Sequence, residues 1–73
     1  MPSQEWWEKR AELQAKYLRE LVPRELYERT INAKDGKVIN IRKWYEEHHG
    51  VLSDKQAAVL AGWIAEDELD EGE

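Results

Sequence analysis

Cysteine is missing from this chain, which excludes a disulfide staple and a thiolate metal site. Phenylalanine is missing as well, so aromatic packing rests on four Trp and three Tyr. No apolar run approaches the roughly 20 residues of a membrane-spanning helix, and the opening residues lack the basic-then-apolar layout of a signal peptide. A soluble, cytoplasmic protein is the resulting expectation. Signatures of catalysis are absent too. There is no HExxH, phosphate-binding P-loop, GxSxG, dinucleotide-binding glycine pattern or Cys–His pair. The only histidines are His48 and His49, in "EEHH". Glu46 and His49 form a single Glu-x-x-His, whereas a carboxylate-bridged dimetal site needs two such motifs and two further Glu. No catalytic residue, metal or cofactor is expected, and the chain reads as a non-enzyme.

What is present must build a core from little material. Seventy-three residues make one domain, close to the lower limit for folding without covalent staples. A buried aromatic removes roughly 150–250 Å² from water, worth on the order of 4–6 kcal/mol before entropy at about 25 cal/mol per Å². Most of the tryptophans are therefore expected inside.

Charge is uneven. The chain carries 11 Lys and Arg against 16 Asp and Glu, for a net −5. Six of those acids lie in "EDELDEGE", which has no base. The expected division is a globular domain over residues 1–65 and a disordered acidic tail over 66–73. Without the tail the charge is nearly balanced, which fits neither a DNA mimic nor a dedicated nucleic-acid binder.

Ser3 is placed to cap a first helix from Gln4 to about Leu21. On its helical projection Trp7 falls near the centre of the apolar arc, and Trp6 on its flank beside Arg10. Trp7 is accordingly expected in the core, with Trp6 and Arg10 at an exposed edge suited to a partner. Pro23 ends this helix and can open a short turn over "PRELYER". In "TINAKDGKVINI", Asp35-Gly36 between β-prone residues reads as the two-residue turn of a β-hairpin. That turn would pair Lys34 with Lys37, Ala33 with Val38 and Ile31 with Asn40.

Asn40 then reads as the cap of a helix burying Ile41, Trp44, Tyr45 and His48, stopped by Gly50 in a left-handed cap. Ser53 and Gln56 form a capping box for a last helix whose apolar side is Val59, Leu60, Trp63 and Ile64. Gly62 inside that helix costs about 1 kcal/mol relative to Ala, which a close approach by another backbone or ring would offset or the helix would simply tolerate. The expected fold is a monomeric α+β domain of about three helices and one β-hairpin. Arg29, Lys34, Lys37, Arg42 and Lys43 would cluster around the hairpin as a second partner-binding surface, towards protein or phosphate.

The whole layout, with its "MPSQEWWEKR" start, compact "INAKDGKVIN" segment and acidic end, resembles the small RNA-polymerase-binding transcription regulators of lytic Xanthomonas phages. The likeness lies in length, composition and arrangement. It implies a host-takeover protein that contacts the β′ N-terminal region and β flap of the host polymerase in the bacterial cytoplasm. Such a protein opposes σ-dependent initiation and promotes antitermination. Two alternatives come from the residues: a small nucleic-acid-binding module using the basic hairpin, and an inhibitor of another bacterial enzyme or defence complex.

Overall fold

The structure, a computed structural model, describes residues 3–71. Four helices make it up: α1 (Gln4–Glu20), α2 (Pro23–Arg29), α3 (Gly36–Glu47) and α4 (Asp54–Glu71). The expected α+β fold is overturned, because the described residues contain no strand.

The correction turns on Asp35-Gly36. A type I′ hairpin turn needs positive φ at both central residues, but Asp35 is extended at φ −68° and ψ 130°, and Gly36 is not in the left-handed region. Asp35 instead caps a helix. Its carboxylate accepts from the backbone N–H of Lys37 (2.8 Å) and Val38 (3.3 Å), satisfying donors that a helix start leaves unpaired. An isolated two-stranded ribbon is marginal in water. A helix here buries Val38 fully and Ile41 and Tyr45 in part, at the i, i+3, i+7 spacing of one helical face. Asn40 is consequently an exposed position inside α3 rather than its cap.

Other boundaries follow the local chemistry. Ser3 Oγ accepts from Trp6 N–H at 3.2 Å. Pro23 opens α2, and the Glu25 carboxylate accepts from Val22 N–H at 3.3 Å. The Ser53–Gln56 capping box forms in both directions, at 3.0 and 3.1 Å. After α3 the chain turns through His49 and Gly50, both with positive φ.

The acidic end is also corrected. Residues 66–71 continue α4 instead of forming a disordered tail; the last two residues of the expected tail lie outside the described residues. α4 packs against all three other helices, most extensively against α1. Its small residues permit this: Ala61 and Ala65 are fully buried, bringing the neighbouring helices close to its backbone.

The core consists of Tyr17, Leu26, Ala33, Val38, Leu60, Ala61, Ile64 and Ala65, with the buried Thr30 hydroxyl donating to the Leu26 carbonyl at 2.9 Å. No Trp is among the buried residues. Trp63 and Trp6 are half-buried, while Trp7 and Trp44 are 51% and 41% exposed. Trp7 was the expected core residue and Trp6 the exposed one. The structure reverses them, because α4 lies on the Trp6–Leu13–Tyr17 side of α1.

Candidate protein-interaction surface

α1 and α4 run antiparallel, so the beginning of one lies beside the end of the other. Three observations set the register: Gln14 Nε2 donates to the Ala58 carbonyl at 2.7 Å, Arg10 lies 3.5 Å from the Glu66 carboxylate, and Trp6, Leu13 and Leu69 line one groove. At this end of the bundle Trp6 and Trp7 meet edge to face, with centroids 4.8 Å apart and planes at 89°. One ring of the pair leans into the groove while the other stands in solvent. The guanidinium of Arg10 lies 5.8 Å from the Trp7 ring centre, within the range of a weak cation–π contact.

Arg10 is therefore engaged within the fold. Its side chain is 24% exposed, and its Nε is shielded from solvent without a hydrogen-bond partner. Arg42 is similarly occupied: Nη1 donates to the Ile31 carbonyl at 3.2 Å, and the guanidinium sits 4.8 Å over the Tyr27 ring. Tyr27 in turn stacks on Tyr45, with centroids 4.5 Å apart. Arg29 lies 5.8 Å from the ring centre of Tyr17. Lys34, Lys37 and Lys43 are exposed. The hairpin that was to gather these bases does not form. Lys37 instead shares a cleft with Arg10, Lys55, Trp63, Asp35 and Glu66, where both signs of charge are present.

The acidic end contributes an apolar face that its carboxylates hide in the sequence. Leu69 sits one helical turn after Ala65, itself one turn after Ala61, so a continuing apolar face was visible at i+4 spacing. The run of acids around it masked the signal. The end of α3 shows the opposite, an expected buried face that is exposed. Trp44 and His48, expected on a buried face, are both exposed and stack on each other at 3.5 Å. Nδ1 of His48 lies 2.9 Å from the Trp44 carbonyl. Among the described residues no three His, Asp or Glu side chains converge as metal ligands, and no helix is long and apolar enough to cross a membrane.

These features define a small all-helical domain with a partly exposed tryptophan pair at one end. Comparison with protein-family models, curated proteins and solved structures returned no match.

Proposed function

We propose that this chain is a non-enzymatic regulator that binds bacterial RNA polymerase, opposes σ-dependent initiation and promotes readthrough at terminators. The carrying observation is Trp7, 51% exposed in a domain with few large apolar side chains to spare. Held against Trp6 and beside Arg10, its ring is a rigid apolar anchor of the kind that dominates protein interfaces. The resemblance of the sequence, in length and composition, to small phage regulators supports polymerase as the partner, with the β′ N-terminal region and β flap as its contact points.

The test is capture of purified bacterial RNA polymerase by the full chain, paired with promoter-dependent transcription. Expected are polymerase capture that survives nuclease, inhibition of initiation, and affinity weakened by about 2 kcal/mol or more in Trp7→Ala. Salt-sensitive binding to naked nucleic acid with no effect on polymerase would replace this function with a nucleic-acid module.

A further inference from the structure

The groove between the start of α1 and the end of α4 has an apolar floor and a charged rim. Trp6, Leu13 and Leu69, each half-buried, form the floor, and Ser3, Glu5, Lys9 and Glu68 complete the lining. Its volume is about 420 Å³, comparable to clefts that hold compact ligands. A side chain or two fits; a folded domain does not.

The rim selects the charge of the occupant. Among the described residues, neither Glu5 nor Glu68 has an ion-pair partner within the protein. Lys9 is the one base in the lining. Asp67 and Asp70, exposed on the same stretch of α4, line a separate cleft beside Asp35 and Trp63, so the acids of this groove are Glu5 and Glu68. The start of α1, at the same groove, carries the partial positive charge of a helix N-terminus, which Glu5 in its first turn complements, whereas Glu68 has no such complement. The rim itself carries two carboxylates, Glu5 and Glu68, against the single ammonium of Lys9. The missing complement is positive.

We infer that this groove seats an apolar side chain from a lysine- or arginine-rich segment of a partner protein. The segment's cations face Glu5 and Glu68. This deepens the protein-binding function proposed above and rests on it, but reverses the polarity expected from sequence. The docking surface presents acids around aromatics, so the partner supplies the bases. Adjacent Trp7, standing out of the same end of α1, extends the apolar contact beyond the groove.

The probes are two short synthetic amphipathic helices with the same leucines, one carrying Lys and the other Glu on its polar face. Each is titrated into the isotope-labelled full chain and followed by NMR. The Leu/Lys helix should shift the Trp6 indole N–H and the Leu13 and Leu69 methyls, and bind about tenfold more tightly than the Leu/Glu helix. Reversing Glu5 and Glu68 to Lys should weaken it by about tenfold, while reversing Glu46 and Glu47, exposed on α3, should change it by no more than about threefold. Equal weakening by both pairs means attraction to net charge alone and overturns the inference, as do shifts centred outside the groove. No polymerase is present in the titration. Failure of the groove and failure of polymerase binding are therefore read separately.

Discussion

Gly62 of α4 faces the guanidinium of Arg10 on α1 so closely that a Cβ at residue 62 would lie 2.6 Å from Nη2 and 3.1 Å from Nε2 of Gln14. The missing side chain is thus filled by a cation from the neighbouring helix, which passes over the glycine to reach Glu66. Of the two readings of Gly62, simple tolerance and the close approach of a backbone or ring, neither describes the contact: the atoms against it are the ends of the Arg10 and Gln14 side chains.

Because the crowded atoms are ends of flexible side chains, Gly62→Ala should not unfold the protein. Its helix-propensity gain of about 1 kcal/mol is offset by displacement of Arg10 from a partly exposed ion pair worth about 0–1 kcal/mol. With Arg10→Ala already in place, the same change should stabilise by about 0.5–1 kcal/mol. Urea titrations of the double-mutant cycle measure this coupling. Additivity within a few tenths of a kcal/mol would show that Arg10 does not occupy the space.

The tryptophan pair should split in the sense opposite to the helical projection. Trp6→Ala removes a half-buried ring from the α1–α4 groove and should cost about 2–3 kcal/mol. Trp7→Ala should cost about 1 kcal/mol, mainly the edge-to-face contact. Urea midpoints of the two variants decide it. A larger loss for Trp7 would place that ring in the core.

Asp35→Ala should destabilise by about 1 kcal/mol through loss of the α3 cap. Asn40→Ala, at an exposed position within the helix, should be neutral or slightly stabilising, since Ala is the better helix former. Thermal melts of both variants distinguish a helix starting at Gly36 from one starting after Asn40. A greater loss at Asn40 would restore the latter boundary.

Deleting the chain from Glu66 onward should lower stability by about 1–2 kcal/mol, since it removes the Arg10 ion pair and the apolar cover of Leu69. For a domain of this size that corresponds to a fall in melting temperature of about 4–16 °C. An unchanged melting temperature would mean that the acidic end adds nothing to the bundle.

The sequence by itself determined the local switches whose chemistry is complete within four residues: Ser3 opening α1, Pro23 opening α2, Gly50 in the turn after α3, and Ser53 with Gln56 opening α4. It also placed Leu60 and Ile64, one turn apart, on the inward side of α4, where both are buried. Tertiary structure decided the rest. Asp35-Gly36 is locally compatible with a hairpin turn or a helix cap, and the burial of Val38 and Ile41 against the bundle selects the cap. The α1 projection shows a broad apolar arc but not where α4 will lie along it. That placement turned Trp6 inward and left Trp7 outside. The same contact drew Arg10 into the fold and held the acidic residues on a helix, because Leu69 and Glu66 found partners on α1 that no window of sequence contains.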